Sequence, residues 1–128
     1  MAPLRWGVLG VSGLVGRRAV LPALAASPTA SLKAIASRDP ARAEAEAQIF
    51  GAERAYGSYE ALLADPEVEA IYIPLPNGLH CEWTLKAAAA GKHVLCEKPL
   101  ACNAEEAWRM SEACRQAGVQ LMEAYMTS

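Results

Sequence analysis

Long hydrophobic runs are missing from this 128-residue sequence: none approaches the roughly 18–20 apolar residues of a membrane span. The first residues also lack a signal-peptide pattern, so the expectation is a cytoplasmic protein. An excess of one charge is missing too. Fourteen acidic side chains against 12 basic ones leave a net charge of −2, and no electrostatic case for nucleic acid or an anionic membrane. The four cysteines (Cys81, Cys96, Cys102, Cys114) show no CxxC spacing, and His80 and His93 are the only histidines. That set excludes a structural zinc site and predicts reduced thiols, buried or semi-buried, with no metal. Phenylalanine occurs once, whereas 27 residues are alanine, so the core must combine small helix-formers with fewer large side chains. A hydrophobic fraction of 53% argues against disorder. The length fits one domain with its own core.

What is present is a regular alternation. Arg5–Gly10 is a short apolar run ending in glycine, followed by Val15, Ala19 and Ala23 at helical spacing. Ser31–Ala36 is a second run. Asp39 and Pro40 then form an N-cap and first-turn pair for an alanine-rich helix that Gly51 stops. Tyr56 marks a weak strand, and Ser58 caps a short helix through Leu63. Val68–Ile73, β-branched and aromatic, reads as a central strand. Leu79, Trp83, Ala87 and Ala90 form one face of a helix closed by Gly91, and His93–Cys96 is another apolar run. Asn103 with Glu106 makes a capping-box-like start to a helix carrying Ala107, Met110, Cys114 and Ala117. Val119–Tyr125 is the last strand candidate. Strands alternating with helices predict an α/β fold: a doubly wound parallel sheet in three αβα layers, with ligands at the carboxyl ends of the strands.

Chemistry-bearing residues fall at those ends. Gly10-Val-Ser12-Gly13-Leu14 follows the first strand, where small residues let the backbone approach a pyrophosphate and a helix N-terminus faces it. The match to GxGxxG is imperfect, since Ser12 and Val15 replace two of its small residues. A strand–helix turn without a ligand is the alternative. After the second strand stand Ser37 and Arg38, where an acid would bond the ribose hydroxyls of NAD; an arginine suits a 2′-phosphate and puts NADP ahead of NAD. After the fourth strand, prolines flank Leu75, and Asn77 either bonds a cofactor or caps the next helix. His80 lies in that helix's first turn, where packing competes with catalysis. After the fifth strand, Glu97, Lys98 and Pro99 set opposite charges at the sheet edge, and a lysine there is able to bond a substrate oxygen and ease proton transfer.

Together, Arg5–Gly10, Leu21–Leu24, Ala36–Asp39, Tyr72–Asn77 with His80, and Glu97-Lys98-Pro99 resemble the Gfo/Idh/MocA oxidoreductases, nearest the branch of xylose dehydrogenases and dimeric dihydrodiol dehydrogenases. The resemblance runs over essentially the whole chain. It implies a Rossmann domain binding NAD(P), with hydride transfer to or from a sugar-like or cyclic polyol substrate. Carried onto this sequence, Gly10, Ser12, Gly13 and Leu14 would line the pyrophosphate, and Ser37 and Arg38 would hold the adenosine ribose and its phosphate. Leu75, Asn77 and His80 would flank the cofactor. Glu97 would lie by the nicotinamide ribose, and Lys98 would be the catalytic lysine. The family's second domain, which supplies the substrate pocket and dimer interface, has no counterpart in these 128 residues. The isolated domain is therefore expected to bind NADP(H) with little or no turnover, and apolar surface left uncovered would favour homo-oligomers. The alternative is a free-standing NAD(P)-binding module serving as a sensor or partner subunit.

Overall fold

A computed structural model describes residues 2–10, 27–97 and 101–124. The elements in chain order are β1 (Leu4–Leu9), β2 (Ala30–Ala36), α1 (Pro40–Phe50), β3 (Arg54–Tyr56), α2 (Tyr59–Leu63) and β4 (Ala70–Ile73). A 3₁₀ turn (Asn77–Leu79), α3 (His80–Ala89), β5 (His93–Glu97), α4 (Ala104–Ala117) and β6 (Leu121–Ala124) complete them. The segment with Val15, Ala19 and Ala23 lies outside the described residues.

The described strands form one parallel sheet in the order β3-β2-β1-β4-β5-β6. The weak strand expected near Tyr56 is its edge strand, Arg54–Tyr56. β1 occupies the centre: Val8 pairs with Ile35 on one side and Tyr72 on the other. The chain thus winds outward twice from the same strand, and the order reverses between β1 and β4. A cleft at the carboxyl ends of these two strands follows from that topology.

Both faces of the sheet are covered, which explains why all four residues of β4 are buried. Side-chain alternation sends Leu9, Ala34, Ala36, Ile71, Ile73, Val94 and Cys96 to the face packed by Leu62, Trp83, Ala87, Met110 and Cys114 of α2, α3 and α4. Trp6, Val8, Ile35, Ala70 and Tyr72 point to the other face, against which Phe50 at the end of α1 packs. Alanine at buried helix positions such as Ala43, Ala87 and Ala88 lets helices approach the sheet closely. The same logic applies at Gly7, where a Cβ would come within 2.6 Å of a Leu62 methyl.

The helix boundaries follow the capping residues. Asp39 accepts from the Ala41 amide at 3.0 Å ahead of Pro40, and Gly51 ends α1 in the left-handed region at φ 76°. Ser58 accepts from the Ala61 amide at 3.1 Å to start α2. Asn103 accepts from the Glu106 amide at 2.8 Å, while the Glu106 carboxylate accepts from the Cys102 amide at 3.1 Å. The reciprocal bond of a capping box is therefore present but reaches one residue further back. One expectation is corrected: the N-cap of α3 is Leu79, with no side-chain cap bond, rather than Asn77. The 3₁₀ turn over Asn77–Leu79 takes up the chain between the proline loop and the helix and moves Asn77 off the cap position. All four cysteines are free; Cys81, Cys96 and Cys114 are buried, but Cys102, in the loop before α4, is exposed.

The amino edge of the sheet is closed by a polar cluster. Asp65, its side chain 1% exposed, accepts from Arg54 Nη1 and Tyr56 Oη, each at 2.7 Å, and from the Glu67 amide at 2.9 Å. The buried Lys92 donates to the Asp65 and Val68 carbonyls, both at 2.7 Å. These bonds tie the loop before β4 to the start of β5, on the edge opposite the cleft.

Candidate functional site

The carboxyl edge carries residues from four strand ends. Gly10 leaves β1 with φ +81°, a conformation that L side chains rarely adopt, and its amide donates to the Ala36 carbonyl at 2.9 Å. A Cβ at Gly10 would lie 2.9 Å from Leu75 Cδ2 and 3.0 Å from the Tyr59 hydroxyl. The end of β1, the proline loop after β4 and the start of α2 therefore meet in van der Waals contact. Ser12, Gly13 and Leu14 lie outside the described residues.

Next to Gly10, the chain leaves β2 through Ser37, whose amide donates to the Tyr56 carbonyl at 3.0 Å. The Ser37 hydroxyl accepts from the Asp39 amide at 3.3 Å, which shapes the turn into α1. Arg38 is exposed at this corner, with its guanidinium carbon 5.6 Å from the centre of the Tyr59 ring. Among the described residues Arg38 has no salt bridge to a carboxylate. Its positive charge stands at the carboxyl end of β2 and borders a cleft of about 440 Å³ that is also lined by Tyr59, Glu60, Glu82, Trp83 and Lys86.

The loop after β4 is held from below. Leu75 is 6% exposed and wedged against Gly10, and its carbonyl lies 2.6 Å from Nε2 of His80, whose ring is fully buried. The ring of His80 consequently supports the loop from inside the fold. Asn77 begins the 3₁₀ turn on the far side of this loop.

Glu97, the last residue of β5, is half-buried and accepts from the hydroxyl of the fully buried Tyr72 on β4. Burial, reinforced by the neighbouring carboxylate, pushes the Tyr72 phenol well above the usual tyrosine range, so it remains a donor. This pair places a fixed carboxylate at the sheet edge. Lys98 and Pro99 lie outside the described residues.

Two residues of the site were not singled out from the sequence. Tyr72 sits in a run that reads as a buried strand, and nothing local marks its hydroxyl. Tyr59 follows the Ser58 cap and reads as an ordinary first-turn residue. Only the pairing of β4 with β5 and the packing of α2 against β1 expose their roles. Among the described residues, no group of three or more His, Cys, Asp or Glu side chains is arranged to hold a metal ion. No described helix is long and apolar enough to cross a membrane.

Comparison with known proteins agrees with this arrangement. Residues 4–125 match the model of the Gfo/Idh/MocA oxidoreductase family, NAD-binding Rossmann fold. The chain is 54% identical over 123 residues to D-xylose 1-dehydrogenase (NADP(+)) 2 of Haloferax volcanii, covering 96% of this chain and 37% of that protein. It is 46% identical to trans-1,2-dihydrobenzene-1,2-diol dehydrogenase of Mus musculus, covering 94% of this chain and 36% of the relative. Among solved structures it resembles KijD10, a 3-ketoreductase from Actinomadura kijaniata in complex with TDP-benzene and NADP. That likeness has a TM-score of 0.90 at 44% identity and covers 94% of this chain and 38% of KijD10. The chain thus spans little more than a third of the length of these relatives. The sheet order, the residues at its carboxyl edge and these likenesses converge: the chain belongs to the Gfo/Idh/MocA oxidoreductase family and forms its NAD-binding Rossmann fold.

Proposed function

We propose that the chain is the NADP-binding domain of an oxidoreductase that moves hydride between a nicotinamide and a sugar-like or cyclic polyol substrate. The observation that carries the cofactor reading is Arg38: an exposed cation at the carboxyl end of β2, free of any carboxylate salt bridge among the described residues. An acid at this corner would repel a 2′-phosphate, and an arginine pairs with it bidentately. The donor set fits such a group, with Ser37 beside Arg38 and the Gly10 turn where the strand order reverses. The names of the NADP-dependent xylose dehydrogenase and of the NADP complex of KijD10 point the same way.

On this reading Gly10, Ser12, Gly13 and Leu14 line the pyrophosphate, and Ser37 and Arg38 hold the adenosine ribose and its phosphate. Leu75, Asn77 and His80 flank the cofactor, and the ring of His80 also holds the Leu75 carbonyl in place. When bound, the nicotinamide supplies hydride chemistry. Glu97, oriented by Tyr72, holds the nicotinamide ribose, and Lys98 bonds the substrate oxygen and moves its proton. The substrate pocket and the dimer contacts belong to a second domain outside these residues, in a cytoplasmic enzyme with reduced thiols. Titration with NADPH and NADH, followed by cofactor fluorescence, tests the reading. Saturable binding with NADPH preferred is expected; binding of neither, or a clear NADH preference, overturns it.

A further inference from the structure

We infer that Tyr59 is a positioning residue for Arg38, its ring holding the guanidinium where the adenosine 2′-phosphate is read. The inference rests on the NADP reading above and adds to it a residue that would never touch the phosphate.

The ring of Tyr59 is fixed on several sides. It opens α2, whose start is set by the Ser58 cap, and only 7% of the residue is exposed. Its edge meets Trp83 with centroids 5.0 Å apart and planes at 85°. Its hydroxyl abuts Gly10 closely enough that a Cβ there would lie 3.0 Å away. Trp83 is braced in turn by Lys86, whose Nζ sits 4.3 Å from the indole centre and 3.2 Å from Glu82 Oε2. Two aromatic rings thus each lie under a cation, Arg38 over Tyr59 and Lys86 over Trp83, and both cations border the same cleft.

The choice of partner matters. A long arginine on a loop loses much rotamer freedom when it grips a ligand. A carboxylate would orient it but would cancel the charge that a phosphate needs. A ring face attracts the guanidinium through its quadrupole and leaves the net charge intact. Orientation is then supplied before the ligand arrives, and affinity gains what would otherwise be lost to ordering. Because NADH lacks the 2′-phosphate, the effect falls on NADPH alone. An exposed cation–π contact corresponds to about a two- to fivefold change in affinity.

The experiment measures NADPH and NADH affinities on the 128-residue chain for the native sequence, Arg38→Ala, Tyr59→Leu, Tyr59→Phe and the double variant Arg38→Ala/Tyr59→Leu. Tyr59→Leu is expected to weaken NADPH binding about two- to fivefold with NADH unchanged, whereas Tyr59→Phe keeps the native ratio. The double variant should lose no more NADPH preference than Arg38→Ala alone. A series of fluorinated phenylalanines at position 59 preserves ring shape while removing electron density from its face, so it reads the contact even if Tyr59→Leu does not fold. The NADPH preference should fall stepwise along that series. A flat series, or equal losses for both cofactors, overturns the role given to Tyr59. A native chain without NADPH preference, or an Arg38→Ala variant that keeps it, overturns the NADP reading itself and the inference with it.

Discussion

The hydroxyl of Tyr72 donates to the carboxylate of Glu97, joining the interior of the sheet to its functional edge. Tyr72 is fully buried on β4, and Glu97 stands half-buried at the end of β5. Removing the donor with Tyr72→Phe leaves the ring's packing intact and strips Glu97 of a charge-assisted bond. The expected loss is about 1.5–3 kcal/mol of unfolding free energy, measured by urea denaturation near neutral pH. An unchanged midpoint would show that the bond contributes nothing. The same variant has an alkaline signature. Because folding raises this phenol above 10.0, the unfolded chain loses the proton first, and the stability it carries declines only as pH rises beyond that value. Tyrosinate absorbance should show a late-ionising component that Tyr72→Phe removes.

Acid stability should depend on Asp65. Burial alone would raise its carboxyl, but bonds from Tyr56, Arg54 and the Glu67 amide outweigh burial and hold it down at about 2 instead of 3.8. The unfolded chain therefore takes up this proton first on acidification. The stabilisation is fully present above the ordinary value and drains away as pH falls towards 2. Asp65→Asn is expected to cost about 1–3 kcal/mol at neutral pH and progressively less in acid. Stability curves that stay parallel from pH 7 to pH 2 would contradict this.

Gly10→Ala tests the turn at the end of β1. The left-handed backbone costs a non-glycine residue about 1–2 kcal/mol, and the new Cβ must also displace Leu75 or Tyr59. A lower melting temperature together with weakened binding of both NADPH and NADH is expected. Full retention of both properties would mean that the turn relaxes elsewhere and does not shape the site.

A substitution at Lys98 tests the catalytic role proposed for it. In the 128-residue chain, Lys98→Ala should leave NADPH affinity within about twofold. In the whole protein it should lower turnover by about 10²–10⁴-fold, the range for a lost proton-transfer group. A large loss of affinity in the short chain would make Lys98 a cofactor anchor instead.

Much of this architecture was legible in the sequence because its signals are local. Asp39 before Pro40, Ser58 and Asn103 each name a helix start from within a few residues, and Gly51 names an end. The buried strand at Ala70–Ile73 is announced by its own composition. What was hidden depends on contacts between distant segments. Asn77 looks like a cap until the chain is seen to spend a 3₁₀ turn before α3. For His80, packing competes with catalysis in the sequence, and its partner shows only once the ring is found beside the Leu75 carbonyl. Tyr59 carries no motif, and nothing in the run that begins at Tyr72 marks its hydroxyl; one matters because α2 packs on β1, the other because β4 lies beside β5.

The central place of β1 also bears on how the chain is made. Residues Leu4–Leu9 are made before either of their partners: Val8 gains its first neighbour only when Ile35 has been synthesised and its second only with Tyr72. At translation speeds of about 5–20 residues per second, this apolar segment waits seconds for its partners. The middle of the sheet is therefore completed late, and slow, long-range pairing is built into the order of the strands. A nascent chain stalled before Tyr72 would hold its central strand half-paired, a form exposed to chaperones and to aggregation.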